Sequence, residues 1–223
     1  MAVNKNRAFL KWAGGKYSLV EKINAQLPVA NKLIEPFVGA GSVFLNSDYP
    51  HYVLNDINPD LISLYNLLKQ QPDVLINDLK AFFTPEHNEE ATYYALREEF
   101  NQTTDEHYRA LLFVYLNRHG YNGLCRYSLS GRFNVPFGRY KRPYFPEREM
   151  YVFAEKSQHA KFTCLPFEKV FQRARKGSVI YCDPPYAPIS KTALFTSYAA
   201  KQFSLACQNK LATLAKRAAY KRG

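Results

Sequence analysis

The sequence lacks the features that place a protein in a membrane, in an oxidising compartment or around a metal ion. No apolar run approaches the roughly 20 residues of a membrane-spanning helix. The first residues lack the apolar core of a signal peptide. The 4 cysteines form no Cys-x-x-Cys pair and have no histidine partners at the spacing of a zinc site. We therefore expect a cytoplasmic protein with reduced thiols, no bound metal and no membrane anchor.

Acidic residues are also scarce relative to basic ones. The chain has 19 Asp and Glu against 30 Lys and Arg, which gives a formal net charge of +11. This surplus favours an anionic partner, most simply nucleic acid, although membrane-surface proteins share such a balance. A hydrophobic content of 47% over 223 residues suffices for one large domain or for one domain with an inserted lobe.

The central motif is Asp183-Pro184-Pro185-Tyr186, which follows the apolar run Ser178-Val179-Ile180-Tyr181-Cys182. The pattern predicts a buried strand with the motif at its carboxyl end, where parallel sheets bind ligands. A carboxylate and a backbone carbonyl can together accept both hydrogens of the amino group of adenine or cytosine. The prolines stiffen that backbone, and the tyrosine offers a face on which a base can stack. The motif alone does not exclude a simple strand end followed by a proline turn.

Two glycine segments nearer the amino terminus indicate a nucleoside site. An apolar strand runs into Gly39-Ala40-Gly41, a short helix begins at Ser42, and the next strand ends at Asp56. The acid can bind ribose hydroxyls, whereas Phe44 replaces the third glycine of the dinucleotide pattern. A cofactor without phosphates therefore fits best. The segment from Phe9 to Lys16 can also bring its backbone close to a ligand, but it is not a phosphate loop.

Residues 117–144 interleave arginine, lysine, tyrosine, asparagine and glycine without a helix or strand period. A long loop of this kind is usually functional, and its aromatic content argues against disorder. Basic side chains can neutralise phosphates, and Tyr121, between Gly120 and Asn122, can wedge into a base stack. The alternative is a basic surface loop without a specific partner. We also predict helices over 72–117, with the charges near Arg97 facing solvent, and a lid over 187–198 that contains Phe195 and Tyr198.

Residues 7–205 resemble the Dam-type DNA adenine methylases, the D12 class of adenine-specific DNA methyltransferases. The resemblance rests on the segments quoted above, together with Asn-Gly-Leu-Cys-Arg-Tyr and Phe-Asn-Val-Pro-Phe-Gly-Arg-Tyr. It implies an α/β fold: a Rossmann-like methyltransferase sheet with an inserted, mainly helical lobe. We expect residues 1–70 to bind the cofactor, 71–150 to recognise DNA and 151–223 to carry the catalytic motif. The family's last strands and C-terminal hairpin are expected to be missing, which leaves the catalytic strand near a sheet edge.

The resemblance also implies roles for individual residues, with S-adenosylmethionine (AdoMet) as donor and S-adenosylhomocysteine as product. The catalytic residues would be Asp183, Pro184, Pro185, Tyr186 and Lys11. The AdoMet contacts would be Trp12, Lys16, Phe37, Gly39, Ala40, Gly41, Asp56 and Asp183. The DNA contacts would be Arg118, Tyr121, Asn122, Leu124, Arg126, Pro136, Arg139, Tyr140 and Lys141. In this set Arg126 would read the first guanine of GATC, and Tyr121 would intercalate beside the target.

The predicted function is methyl transfer to the 6-amino group of adenine in double-stranded DNA, at GATC, by a monomer that flips the base. Two alternatives remain open: a cytosine amino-methyltransferase, and an inactive, truncated remnant that only binds DNA. Methylation at carbon-5 of cytosine is disfavoured, because the chain has no Pro-Cys pair. The residues do not distinguish roles in mismatch-strand marking, replication control or restriction-modification.

Overall fold

Four short apolar segments form one parallel sheet. The computed structural model describes residues 5–185 and 203–220. In that part of the chain the strands lie in the order β3-β2-β1-β4, and every neighbouring pair is parallel. Parallel pairs require crossover connections, which the helices supply. This confirms the predicted α/β fold with a Rossmann-like sheet. The strand bounds are β1 Lys32–Glu35, β2 His51–Asn55, β3 Ala160–Thr163 and β4 Ser178–Ile180.

Helices cover the sheet and form the lobe between β2 and β3. Short 3-10 turns lie before α1 at Tyr17–Leu19, before α5 at Glu86–Asn88 and directly after α6 at Tyr121–Gly123. No helix of the described ranges is long and apolar enough to cross a membrane. The helix bounds are α1 Val20–Asn24, α2 Ser42–Asn46, α3 Pro59–Gln70, α4 Pro72–Lys80, α5 Glu90–Gln102, α6 Glu106–His119, α7 Glu147–Ser157, α8 Phe167–Phe171 and α9 Leu205–Tyr220.

The strand register brings three predicted site segments to one edge of the sheet. Ile34 of β1 lies opposite Val53 of β2 and Ile180 of β4. The turn after β1, the acid after β2 and the proline motif after β4 therefore follow one another along the carboxyl edge. β4 is shorter than predicted and ends at Ile180. Beyond it, the Tyr181 N–H still donates to the Ile34 carbonyl at 2.9 Å.

The pattern Asn58-Pro59-Asp60 predicts a helix start with Asn58 as cap and Asp60 as a favourable charge in the first turn, and helix α3 begins there. The Asn58 side chain accepts the N–H groups of Asp60 at 3.0 Å and Leu61 at 3.3 Å, and Pro59 occupies the first helical position. The predicted apolar face is buried, including Leu61 and Leu68 at 0% exposure. This helix fixes the position of the residues that precede it.

The helix after Asp105 is confirmed as α6, and it is the most buried helix of the lobe. Asp105 caps it by accepting the Tyr108 N–H at 2.9 Å. Its residues 110–119 are all buried, which is typical of a helix surrounded by protein on all sides. The charged face predicted on α5 is only partly solvated. Arg97 donates to the Val135 carbonyl at 3.0 Å, because the loop after α6 folds over that face.

Two further boundaries differ from the sequence pattern, which predicts a strand from Phe162 to Leu165 and a helix from about Glu168 to Arg175. β3 begins at Ala160, two residues early, because its ladder pairs with the start of β2. It ends at Thr163. Beyond that residue the Asn55 side chain donates to the Leu165 carbonyl at 2.9 Å and accepts the Leu165 N–H at 3.0 Å. α8 ends at Phe171 instead of near Arg175, and turns carry the chain on to β4.

An aromatic cluster anchors the amino-terminal segment. The Phe9 ring contacts Tyr65 of α3 at 6.0 Å and Phe153 of α7 at 5.2 Å between centroids. Phe9 is 1% exposed, so its burial contributes about 2–3 kcal/mol to folding. The residues that follow, Lys11 to Lys16, are thereby held over the carboxyl edge of the sheet.

Candidate active site and nucleic-acid interface

Asp183 lies beside Lys16, just beyond the end of β4. The Lys16 ammonium is 2.6 Å from an Asp183 carboxylate oxygen, and it also donates to the Gly14 carbonyl at 2.8 Å. Both side chains are largely shielded, at 15% and 25% exposure. The amino-terminal glycine segment therefore reaches the proline motif, which sequence spacing alone does not indicate.

The same segment contacts the first glycine turn. A Cβ at Gly39 would lie 2.8 Å from the Trp12 indole nitrogen, so the ring packs directly against this glycine. Gly39 and Gly41 have φ angles of +48° and +75°, which glycine adopts without strain. The Gly15 N–H donates to the Trp12 carbonyl at 3.1 Å and closes a turn. The five residues from Trp12 to Lys16 thus connect both corners of the candidate site.

Asp56 folds back from β2 onto the glycine turn. Its carboxylate accepts the N–H groups of Gly39 at 3.1 Å and Asn58 at 3.0 Å. The Tyr65 hydroxyl donates to the Gly39 carbonyl at 2.6 Å. Burial raises the pKa of Asp56, and these N–H donors oppose that effect. Each carboxylate oxygen retains a lone pair, so the group can still accept bonds from hydroxyls of a ligand.

Glu35 is a buried acid at this edge that sequence reasoning missed. It ends β1 and is 2% exposed, and its Oε1 atom has no hydrogen-bond partner among the described residues. Burial, with a contribution from nearby Asp183, raises the pKa of Glu35 to about 8 despite a hydrogen bond from the Phe44 N–H. At neutral pH it is mostly a neutral carboxylic acid that can donate. The signal was available, since an acid follows the apolar pair Leu33-Ile34 four residues before Gly39.

Lys11 lies between the glycine segment and the loop after α6. Its ammonium is 3.7 Å from the centroid of the Tyr140 ring and donates to the Arg118 carbonyl at 3.4 Å. Burial, and then the charge of Arg118, lowers the pKa of Lys11 to about 8. The Asn117 side chain holds the Lys11 backbone through bonds of 2.9 Å and 2.8 Å. Lys11 is therefore held in position as a cation that has already lost part of its hydration.

The segment predicted as an irregular loop is a hairpin, here named the basic hairpin (residues 120–140). Antiparallel bridges join Gly120 to Phe137 and Tyr127 to Phe133. Its tip turns at 128–131, where the Gly131 N–H donates to the Ser128 carbonyl at 3.0 Å. Only two isolated bridges form within these residues, so the hairpin requires no regular alternation of apolar and polar residues. The sequence pattern therefore did not indicate the pairing.

The residues predicted to touch the bases lie on both sides of the basic hairpin. Tyr121 is 52% exposed, and its N–H donates to the Pro136 carbonyl at 2.9 Å. Asn122 has a φ of +52° and donates its N–H to the Tyr140 hydroxyl at 2.9 Å. Positive φ is uncommon outside glycine and is tolerated best by Asn and Asp. Leu124 is half-buried against the core.

The predicted phosphate contacts differ in their surroundings. Arg139 and Lys141 are exposed, and the Arg139 guanidinium is 3.2 Å from Glu90. Arg118 is 8% exposed, donates to the Tyr144 carbonyl at 2.9 Å and lies over the Tyr144 ring. Its guanidinium is held by groups of the protein. This placement favours a role for Arg118 in joining the lobe to the loop, not in facing the DNA backbone as predicted.

The other predicted site residues also surround the carboxyl edge. Phe37 contacts two phenylalanine rings near α8 and α9, and Ala40 is 6% exposed. Pro184 is half-buried and Pro185 is exposed. Tyr186 and the predicted lid lie outside the described residues.

Comparison with known proteins identifies the family. The family model of the D12 class N6 adenine-specific DNA methyltransferases matches residues 12–223. The chain is 58% identical over 221 residues to a DNA adenine methylase of Vibrio cholerae, covering 99% of this chain and 80% of that protein. It is 60% identical over 213 residues to the DNA adenine methylase of Serratia marcescens (96% and 79%). It is 58% identical over 213 residues to that of Escherichia coli K12 (96% and 77%).

The chain belongs to the D12 class of N6 adenine-specific DNA methyltransferases. This confirms the resemblance and the predicted enzyme class. For such a methyltransferase the substrate is DNA and the acceptor is the amino group of adenine, so adenine is favoured over cytosine. The chain spans about four fifths of the length of these relatives. The net charge of +11 suits an enzyme that binds a polyanion.

Proposed function

We propose that this methyltransferase transfers the methyl group of AdoMet to the 6-amino group of an adenine flipped out of duplex DNA, at GATC. The observation that carries the proposal is the meeting of two corners at one sheet edge. Lys16 contacts Asp183 in the first corner, and Trp12 packs on Gly39 in the second. A donor bound at the glycine turn would thus be adjacent to an acceptor at the proline motif.

The residues present fit AdoMet at the first glycine turn. The turn has no side chain at Gly39, the Trp12 indole supplies an aromatic face, and the Asp56 carboxylate has lone pairs for two ribose hydroxyls. The orphaned Oε1 of Glu35 offers a further polar partner at the same edge. Phe37, Ala40, Gly41 and Lys16 complete the proposed contacts. AdoMet supplies an electrophilic methyl group on a sulfonium sulfur.

In the proposed mechanism Asp183 and the Pro184 carbonyl accept the two N–H bonds of the adenine amino group. Accepting both bonds draws the nitrogen toward a tetrahedral geometry and frees its lone pair. The freed lone pair would accept the electrophilic methyl group that AdoMet supplies, and S-adenosylhomocysteine would be the leaving group. The extra proton leaves the cationic nitrogen for solvent. Because positioning and electrostatics dominate, no strongly basic side chain is required.

The proposed DNA contacts divide between phosphates and bases. Exposed Arg139 and Lys141 would hold phosphates, and Tyr121 would wedge beside the target base. Arg126 would contact guanine through its guanidinium, which is matched to the guanine edge. In this proposal residues 1–70 bind AdoMet, 71–150 recognise DNA and 151–223 carry the catalytic motif. The structural surroundings of Tyr186, the proposed stacking partner of adenine, lie outside the described residues.

The test is incubation of the purified chain with methyl-labelled AdoMet and duplexes that differ only at GATC. Label in N6-methyladenine on the GATC duplex alone supports the proposal. Label in cytosine would instead support the cytosine amino-methyltransferase. DNA binding without AdoMet binding in a titration would identify an inactive remnant. An Asp183→Ala variant should bind DNA and lose methyl transfer, and retained turnover would remove Asp183 from the mechanism.

A further inference from the structure

One carboxylate joins three separate parts of the chain. Asp60, in the first turn of α3, is 9% exposed. It accepts two bonds from the Arg109 guanidinium of α6, at 2.5 Å and 3.2 Å, and one from the Tyr127 hydroxyl of the basic hairpin, at 2.5 Å. Charged, two-pronged bonds of this kind fix geometry as well as adding energy. The amino end of α3 is therefore fastened to both the lobe and the hairpin.

A second contact joins the start of α3 to the basic hairpin, through its cap residue Asn58. Its backbone N–H donates to Asp56 at 3.0 Å, and its side-chain amide donates to the Cys125 sulfur at 3.4 Å. Burial raises the pKa of the Cys125 thiol to about 12, so the sulfur is neutral at ordinary pH. Asn58 thus touches both the proposed ribose-binding acid and the basic hairpin.

Arg126 lies between the two anchored residues. Cys125 on one side contacts Asn58, and Tyr127 on the other contacts Asp60. The Arg126 guanidinium itself donates to the side chain and backbone of Asn134 at 2.7 Å and 2.9 Å. A side chain that reads a base edge must be held to within about 0.5 Å of its productive position. The contacts on its two neighbours restrict the backbone from which Arg126 extends.

We propose that Asp60 and Tyr127 are positioning residues: they hold the basic hairpin, and with it Arg126, in a fixed place relative to the AdoMet site. The inference rests on the proposed function and adds a residue set that acts on base discrimination without touching DNA. The competing explanation is a bridge that contributes stability alone. If the bridge positions Arg126, loss of the Tyr127–Asp60 bond lowers the discrimination between duplexes. If the bridge contributes stability alone, that loss leaves the discrimination unchanged.

The experiment compares Tyr127→Phe and Asp60→Asn with a matched control, Tyr151→Phe. The Tyr151 hydroxyl also donates to an aspartate, Asp73, at 3.0 Å, but on the exposed surface between α7 and α4. kcat/KM is measured on a GATC duplex and on duplexes with one base pair of the site changed, and AdoMet affinity is titrated. Loss of the charge-assisted Tyr127–Asp60 bond should lower the discrimination ratio about tenfold in Tyr127→Phe, and at least as much in Asp60→Asn, which also weakens the Arg109 contact. The ratio in Tyr151→Phe and AdoMet affinity in all three should stay within about twofold of the unmodified chain.

Amide hydrogen exchange tests the same point without turnover. Ser128 and Asn134 donate their N–H groups across the hairpin at 2.7 Å and 3.1 Å. Exchange at both amides should be faster in Tyr127→Phe than in Tyr151→Phe. Equal exchange, or activity that falls equally on all duplexes, would overturn the inference. If Tyr127→Phe does not fold, Asp60→Asn answers the same question, because Asn keeps the volume and one acceptor. Absence of turnover in the unmodified chain would reject the proposed function, and the exchange comparison would still decide the positioning.

Discussion

The Lys16 ammonium lies 2.6 Å from the Asp183 carboxylate, although the two residues stand near opposite ends of the described sequence. The contact joins the glycine segment before α1 to the motif after β4. It places a positive charge beside the Asp183 carboxylate, which we propose accepts a hydrogen bond from the adenine amino group. Lys16 therefore holds the Asp183 carboxylate at the carboxyl edge of the sheet.

Replacing Lys16 with methionine should lower kcat/KM by at least about tenfold, since hydrogen bonds to charged groups contribute about 1.5–3 kcal/mol. The methionine retains the apolar stem and removes only the charge. Lys5→Met is the matched control, because Lys5 pairs with Glu21 at 3.0 Å on the surface. Steady-state methylation rates check the prediction. Equal activity of the two variants would show that the Lys16–Asp183 pair has no part in turnover.

Gly39→Ala should weaken AdoMet binding far more than Gly131→Ala. Both glycines have positive φ, so both alanines carry a conformational cost of about 1–2 kcal/mol. At Gly39 the new methyl group would meet the Trp12 indole at 2.8 Å, whereas at Gly131 no atom of the described residues lies within 4 Å. Titration of each variant with AdoMet checks the difference. Similar affinities would indicate that Trp12 moves aside freely and that the turn is not shaped around the cofactor.

His119 should make the protein less stable as the pH falls from about 6.5 to about 4. It is 1% exposed, its Nδ1 atom bonds the Tyr115 carbonyl at 3.0 Å, and burial lowers its pKa to about 4. The unfolded chain therefore takes up a proton before the folded chain does. The loss through this window is about 3 kcal/mol. Urea unfolding of the unmodified chain and of His119→Asn at several pH values gives the free energy of unfolding of each. The change of their difference with pH is the contribution of His119.

The stability difference between those two chains should shrink or reverse toward pH 4. A difference that is constant with pH would contradict the assignment. Replacement of the exposed His159 by asparagine is the control for the substitution itself.

Asn117→Asp should destabilise the fold by at least about 2 kcal/mol, on the order of 1 kcal/mol for each of the two bonds that the amide donates. The Asn117 side chain is 2% exposed, accepts the Lys11 N–H and donates to the carbonyls of Lys11 and Gly123. A carboxylate cannot donate, so two carbonyls would face it unpaired. Asn66→Asp is the control, because the Asn66 side chain donates to the Ile62 carbonyl within its own helix, at 3.0 Å. Urea unfolding measures both, and a similar loss in each would contradict the claim that Asn117 tethers the glycine segment.

Local patterns predicted most of the elements. The cap at Asn58, the helix after Asp105 and the strand before Asp183 were found from the sequence, because caps and apolar periods depend on residues within a few positions. Element ends were less accurate. β3 is displaced because the Asn55 side chain replaces its ladder near Leu165, and no local pattern carries that contact.

Burial of polar groups was harder to predict. Arg118 and Glu35 are buried, although the sequence reading placed Arg118 at the DNA and gave Glu35 no role. A charged residue type normally indicates the surface, and only the packing of other segments around α6 and β1 overrides that tendency. Asp60 was read as a favourable first-turn charge, while the fold makes it the junction of α3, α6 and the basic hairpin.

The sequence by itself determined the α/β class and the family, and it supplied the candidate site residues, because motifs and periodicity are set by neighbours along the chain. Only the tertiary structure decided which of those residues meet. Lys16 with Asp183, Trp12 with Gly39, and Asp60 with Tyr127 come together because four parallel strands align their carboxyl ends and α3 and α6 dock side by side. Such contacts depend on long-range packing, and no short stretch of sequence contains them.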